Sequence, residues 1–394
     1  MKKKFELTLT KSYASAWGVQ EALREIVQNG IDQEKQVEGN TMEINYDGSN
    51  VLSISNKSSI LSKKSLLLGY TSKADDENTI GQFGEGYKIA LLVLNRLGKK
   101  VTIYNYGAKE IWTSKFVKSR RYEGEEVLTI YVETEAIWKK VPNANLTIEV
   151  EGINTDDYAE LINRTLLLQE DLGETLYSEE YGTILLDEKQ KGRVYVNGLY
   201  INSIEELTYG YNIKPSKLRI GRDRDLVSDF DIISTTSLMW REHNIDLLQE
   251  LIKSGCKDVT YLHSYLGYFD GQIKESTYES FTKEHGENAI PVSSQSEYEL
   301  MNSRYNNANI VIVNEIQKNI ITESKGFKDT LKNAVKKEMS LEEEYYHWKK
   351  ANSCNIFGEA LSELEVFLAK VIDMDKVNEL EEEEYNAKMR AELF

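Results

Sequence analysis

Cysteine, proline and histidine are scarce in this chain: 2, 3 and 4 of them among 394 residues. Cys256 and Cys354 stand almost a hundred positions apart with no CxxC spacing, so neither a disulfide framework nor a structural zinc site is expected. His243, His263, His285 and His347 are scattered and none falls in H-E-x-x-H spacing, which argues against metal-centred hydrolysis. No run of about 18 apolar residues occurs, and the basic start, Met1 to Glu6, is not followed by the apolar region of a signal peptide. A cytoplasmic protein without a membrane segment is therefore expected. With 40% hydrophobic and 29% charged residues, collagen-like and wholly disordered chains are excluded as well.

What is abundant is acid. Asp and Glu number 65 against 48 Lys and Arg, a net charge of −17. Residues 338–394 hold 15 acids and 6 bases, a balance of −9, so about half of the imbalance belongs to the C-terminal stretch. Broad binding of nucleic acid through its phosphates is disfavoured by that charge, although Lys2–Lys4 and Lys115–Arg121 are local basic runs. The length implies two to three domains.

Residues 14–33, 62–68 and 88–97 read as helices. Residues 41–46, 50–55, 100–104, 110–116, 126–133 and 145–151 read as strands, rich in β-branched and aromatic residues. This pattern predicts an α+β fold with helices on one face of a mostly antiparallel sheet. A second α+β unit follows over residues 153–230, with a helix at 156–170, strands at 182–187 and 193–201, and the basic run Lys217–Arg224. Residues 231–394 form a third region: a helical stretch at 232–254, a small β-α-β-α piece near 289–322, and an acidic helical end. There Leu361, Leu364, Phe367, Leu368 and Val371 supply an apolar stripe. Tyr345, Tyr346 and Trp348, beside Glu342–Glu344, fit either helix packing or a partner surface.

Two segments carry chemistry. In Glu21–Asp32, a 100° turn per residue brings Glu25, Asn29 and Asp32 within about a 60° wedge, opposite Leu23, Ile26, Val27 and Ile31. A carboxylate can deprotonate a water, and an amide oxygen one turn on can ligate Mg²⁺, which prefers oxygen. The same pattern also fits an ordinary amphipathic helix with a polar outer face. In Thr79–Ala90, Gly81, Gly84 and Gly86 directly precede an apolar helix. Such a turn lets backbone N–H groups approach a phosphate chain, with the helix N-terminus and Lys88 adding positive charge. The run follows a polar segment and not a strand, and G-x-x-x-x-G-K-[ST] is absent, so neither a Rossmann nor a P-loop site is indicated.

Together these segments resemble the GHKL ATPases: gyrase B, MutL, the large heat-shock chaperone ATPases, histidine kinases and the MORC proteins. Glu25-x-x-x-Asn29-x-x-Asp32 is similar to the family's first motif. Residues 68–73, a polar insert and residues 80–88 are similar to its ATP lid and glycine box, closest to the MORC version. The resemblance covers roughly residues 15–150 and implies a GHKL (Bergerat) α/β sandwich over residues 1–152, with a transducer-like domain after it. It implies Glu25 as general base and Asn29 as magnesium ligand. Asp32 joins the nucleotide site, and Ser72, Lys73, Gly81, Gln82, Phe83, Gly84, Glu85, Gly86, Tyr87 and Lys88 surround the phosphates. Thr147 would close the adenine pocket. Residues 193–201 resemble the V-N-G strand of the transducer-like domain, whose phosphate-reaching cation has Lys217, Arg219, Arg222 and Arg224 as candidates. The alternation of Arg and Asp there also fits a surface ion-pair ladder. Two departures stand out. The family's D-x-G-x-G is replaced by Ile54–Ile60, which leaves Asn56 or Ser55 to meet the base, and Gly30 stands where Ala or Ser is usual.

The resemblance implies an ATP-binding protein. It would be a Mg-dependent ATPase in which lid closure and homodimerisation, with exchange of the arm over residues 1–17, act on a macromolecular and chiefly protein partner in a chaperone-like or MORC-like way. A nucleotide-gated binding module or inhibitor with little hydrolysis, and an ATP-dependent DNA clamp, are the alternatives. The charge disfavours the DNA clamp.

Overall fold

The computed structural model describes residues 2–36, 38–67, 86–134, 145–218, 227–243, 245–267, 270–305, 308–333, 336, 339–352 and 356–392. Mixed helix and strand, an α+β class, is what they form. The chain divides into two compact units, Met1–Ile232 and Ile233–Phe394. Among the described residues no helix is long and apolar enough to cross a membrane.

The first unit opens with β1 (Lys2–Thr10), α1 (Val19–Gln36), β2 (Met42–Tyr46) and β3 (Val51–Asn56). After a 3-10 turn at Lys63–Leu66 come α2 (Gly86–Arg96), β4 (Lys100–Asn105), β5 (Glu110–Lys118), β6 (Glu126–Thr134), β7 (Leu146–Glu151) and α3 (Thr155–Asn163). The strands form one sheet in the order β1-β6-β5-β4-β7-β3-β2. Every neighbour in it is antiparallel. Alternation along each strand sends Leu52, Ile54, Val101, Ile103, Trp112, Ile130 and Val150 to one face, where they make a core with Leu23, Ile26 and Val27 of α1, Leu91 and Leu94 of α2 and Leu161 of α3.

Specific polar contacts fix α1 within this layer. Glu21 accepts the Gly18 N–H at 2.8 Å before the first turn, Gln20 donates to the Asp157 carbonyl at 3.0 Å, and Arg164 pairs with Glu21 at 3.3 Å. At the C-terminal end of α2, one guanidinium gathers four carbonyls. Arg96 donates to Lys11, Tyr13, Ala14 and Trp17 at 2.8–3.1 Å, tying the link between β1 and α1 onto α2.

A second sheet follows, in the order β11-β10-β12-β9-β8, from β8 (Thr175–Ser178), β9 (Gly182–Leu185), β10 (Arg193–Val196), β11 (Leu199–Ser203) and β12 (Gly210–Ile213). The single strand expected over residues 193–201 is instead a hairpin. Asn197 and Gly198 both take positive φ, 52° and 81°, the backbone that a two-residue turn between antiparallel strands requires.

The division between units falls inside α4 (Asp229–Arg241), which is followed by α5 (Asp246–Ser254), α6 (Leu262–Tyr265) and α7 (Gly271–His285). The β-α-β-α piece is present as β13 (Ala289–Val292), α8 (Gln295–Arg304), β14 (Asn309–Ile312) and α9 (Glu315–Glu323), with β13 and β14 parallel. Helix α10 (Lys325–Asn333) closes its core through Phe327. The acidic end forms α11 (Leu341–Ala351), α12 (Glu359–Leu368) and α13 (Met374–Glu392). Tyr345 and Tyr346 are buried among these helices, so they are packing residues and not an exposed partner surface.

Glu384 ties α13 to α11: it accepts Lys350 at 2.6 Å and the Tyr346 hydroxyl, and these contacts, Lys350 foremost, pull its carboxyl down to about 2. A carboxyl lowered by folding stabilises fully above its unfolded value, near 4.5, and loses that contribution as the pH falls toward about 2. Acid titration followed by Trp348 fluorescence should therefore show the helical end loosening in that window. The Glu384→Gln variant should lack that part of the transition.

Candidate functional site

Along α1, burial departs from a simple amphipathic pattern. Glu25 and Asp32 are as inaccessible as Leu23 and Val27, all at 0% exposure, and Gln28 is at 1%. The wedge of polar groups is therefore not a solvated outer face. Carboxylates are seldom taken out of water without a partner or a task, because the desolvation cost is several kcal/mol (roughly) per ion. Beside Glu25 stands Arg24, whose Nη2 lies 3.7 Å from Oε1 and whose guanidinium rests over the Trp17 ring, 5.9 Å from its centroid. One turn on, the half-buried Asn29 donates its amide N–H to the Glu25 carbonyl at 2.7 Å, a bond that does not use Oδ1.

Facing α1 at the end of β3 is Asn56, buried and held by donation to the Gly30 carbonyl at 2.9 Å and to Asn40 Oδ1 at 3.0 Å. Asn40 donates in turn to Ser59 at 2.8 Å, and Ser59 to Gln33 at 3.3 Å. Both amide hydrogens of Asn56 are thus used within the protein, and its oxygen is left as an acceptor. The packing also accounts for Gly30. A Cβ there would come within 2.4 Å of Met42 Sδ and 3.1 Å of Asn56 Oδ1, so Met42 and Asn56 fill the space that a side chain at this position would need.

The strand register puts Asn56, Leu146, Asn105 and Glu110 in one row across β3, β7, β4 and β5. Its polar members hold the connection after β3. Asn105 exchanges two hydrogen bonds with the Leu61 backbone, 2.7 and 3.3 Å, while Glu110 accepts Trp112 Nε1 at 3.0 Å and pairs with Lys63. Sequence reasoning missed Asn105 and Glu110. Their only signal was a polar residue at the end of an otherwise apolar strand face.

Thr147 does not join this group. It pairs with Ser55, whose hydroxyl lies 2.8 Å from its own, and alternation places both on the sheet face opposite Asn56 and α1. The expected adenine-pocket residue Thr147 therefore stands on the other sheet face from Asn56.

Gly86 begins α2, followed by Tyr87 and Lys88. Lys88 is fully buried, and its ammonium donates to the Ser65 carbonyl at 2.9 Å and to that of Leu67. Tyr87 meets Ser65 hydroxyl to hydroxyl at 3.0 Å, and burial pushes its phenol well above the ordinary range. The first turn of α2 thus grips residues 65–67. Lys88 tethers this stretch to α2. Removing it strands two carbonyls: Lys88→Met should cost about 1–3 kcal/mol in chemical denaturation and speed hydrogen exchange at Lys64–Leu67. Unchanged stability and exchange would count against the tether.

Ser72, Lys73, Gly81, Gln82, Phe83, Gly84, Glu85, Arg219, Arg222 and Arg224 lie outside the described residues. Lys217 pairs with Glu180 and lies over the Tyr181 ring, 4.8 Å from its centroid, the surface ion-pair alternative for that position.

Residues 156–240 match a family model described as the Mycoplasma pneumoniae MPN635 N-terminal domain. The matched stretch starts in α3, takes in the second sheet and ends in α4, so it excludes α1 and α2. The chain is also similar to an "Uncharacterized protein" of Mycoplasma pneumoniae (strain ATCC 29342 / M129 / Subtype 1), 26% identical over 214 residues, which is 52% of this chain and 83% of that protein.

Proposed function

We propose that residues 1–152 are a GHKL-type ATP-binding domain and that the chain is a Mg-dependent ATPase, in which closure over ATP and dimerisation act on a protein partner. The observation that carries this reading is the complete burial of Glu25 and Asp32 on a helix that also carries the half-buried Asn29, layered on an antiparallel sheet. Beside it stands the resemblance of residues 15–150 to the GHKL motifs.

In this reading Glu25 accepts the proton of a water as the water oxygen bonds to the γ-phosphorus and the bond to the ADP oxygen breaks. Asn29 Oδ1 would hold Mg²⁺ as one hard oxygen donor. Bound there, the ion neutralises phosphate charge. Asn56 Oδ1, its amide hydrogens already spent, is the acceptor that meets the adenine amino group. The N-terminus of α2 supplies favourable partial charge to the phosphates. Phosphoryl transfer asks mainly for such positioning and charge stabilisation.

A second reading, a nucleotide-gated binding module with little hydrolysis, is favoured by the replacement of D-x-G-x-G by Ile54–Ile60. Calorimetric titration with ATP, ADP, GTP and a nonhydrolysable ATP analogue, with and without Mg²⁺, separates the two when paired with a phosphate-release assay. Mg-dependent ATP binding with turnover is expected. Tight binding without turnover selects the module, and absence of any nucleotide binding overturns both.

A further inference from the structure

The segment Ile54–Ile60, which stands in place of D-x-G-x-G, carries a polar network of its own. Two of its members, Asn56 and Ser59, join Asn40 and Gln33 in a relay whose first three side chains are buried. One backbone group fixes its direction. The Gly30 carbonyl can only accept, so the atom 2.9 Å from it must be the Asn56 amide nitrogen. The second hydrogen on that nitrogen needs an acceptor, which sets Asn40 Oδ1 at 3.0 Å and turns Asn40 Nδ2 to the Ser59 hydroxyl at 2.8 Å. Ser59 passes its own hydrogen to Gln33 Oε1 on α1, at 3.3 Å. Turning the Asn56 amide over would set acceptor against acceptor at both contacts, a loss that a buried group does not recover from water.

Asn56 Oδ1 is thereby held beside α1, 3.1 Å from where a Cβ on Gly30 would stand, one residue beyond Asn29. An acceptor fixed there takes a base that brings an N–H, such as the 6-amino group of adenine, and opposes one that brings a 6-oxo group. We propose, resting on the nucleotide reading, that Asn40 is the positioning residue for base selectivity: by holding the Asn56 amide in one orientation it makes the site select 6-amino over 6-oxo purine nucleotides. The relay is built for an amide at position 56. The carboxylate that D-x-G-x-G would bring has no N–H for the Gly30 carbonyl.

The test compares ATP with inosine triphosphate, which exchanges the 6-amino group for 6-oxo and keeps the sugar and phosphates, by calorimetry on the full chain with Mg²⁺. The parent should bind ATP at least about tenfold more tightly. Asn40→Leu removes the acceptor from one Asn56 N–H, freeing it to meet a 6-oxo group, and should cut that ratio at least about threefold. Asn40→Asp keeps the acceptor and should retain the ratio. A role confined to packing would scale both affinities together and leave the ratio unmoved. Asn56→Asp tests the relay from its other end, and decides the matter if Asn40→Leu does not fold: it should bind ATP at least about threefold more weakly than the parent. Equal affinity of the parent for the two nucleotides, a parent-like ratio in Asn40→Leu, or ATP affinity in Asn56→Asp at or above the parent's overturns the proposal while the nucleotide reading stands. A parent that binds neither nucleotide overturns that reading, and the proposal with it.

Discussion

Glu25→Gln is expected to lower ATP turnover by about 10²–10⁴-fold, the range associated with losing a positioned general base. Nucleotide affinity should stay within a few-fold of the parent. Glutamine keeps the volume and one oxygen of a fully buried side chain, so the change removes proton acceptance more than packing. Steady-state phosphate release gives the first quantity and calorimetry the second. Turnover equal to the parent's would remove Glu25 from the chemistry, whereas loss of binding and turnover together would make it a structural residue of α1. With turnover blocked, Glu25→Gln should also accumulate the nucleotide-bound state, the form in which a dimer should be sought by sedimentation.

Arg96→Ala should cost about 3 kcal/mol of stability. Hydrogen bonds to a charged group contribute about 1.5–3 kcal/mol each, and water replaces the more exposed of the four after truncation. Arg96→Lys should recover little, because an ammonium is a point charge without the planar fork that reaches carbonyls from Lys11 to Trp17 at once. Hydrogen exchange should localise the loss to residues 11–17. That link is also the hinge on which β1 would turn if it exchanged between two copies, so Arg96→Ala should raise the fraction of concentration-dependent dimer. Unchanged exchange over residues 11–17 would show that packing, and not the guanidinium, fixes the link.

Local pattern made much of the architecture readable and left pairing out of reach. Six of the seven strands of the first sheet lie close to where β-branched and aromatic runs place them, whereas β1, read only as an exchangeable arm, pairs with β6 at the sheet edge; α2 is legible as an apolar helix behind a glycine turn. The helix expected to start at residue 14 begins at Val19, because the Arg96 contacts hold the preceding link in a non-helical path. Asn197-Gly198 is a turn signature, and its likeness to V-N-G masks it as strand interior in the sequence. Thr147 shows a different limit. Its strand was found, but a one-residue parity decides which face a side chain occupies, and parity follows from register across the sheet. The depth of Glu25 and Asp32 was likewise hidden, since a polar wedge on a helix looks the same whether it faces solvent or protein.

The pairing of β1 with β6 has a consequence for how the chain is made. Lys2 finds its partner at Glu133, so during synthesis at about 5–20 residues per second β1 waits on the order of ten seconds for β6 to appear. Throughout that interval a bare strand is exposed to every nascent neighbour. Consecutive lysines at positions 2–4 keep such a strand from pairing with copies of itself, which gives the basic run a duty before the fold exists.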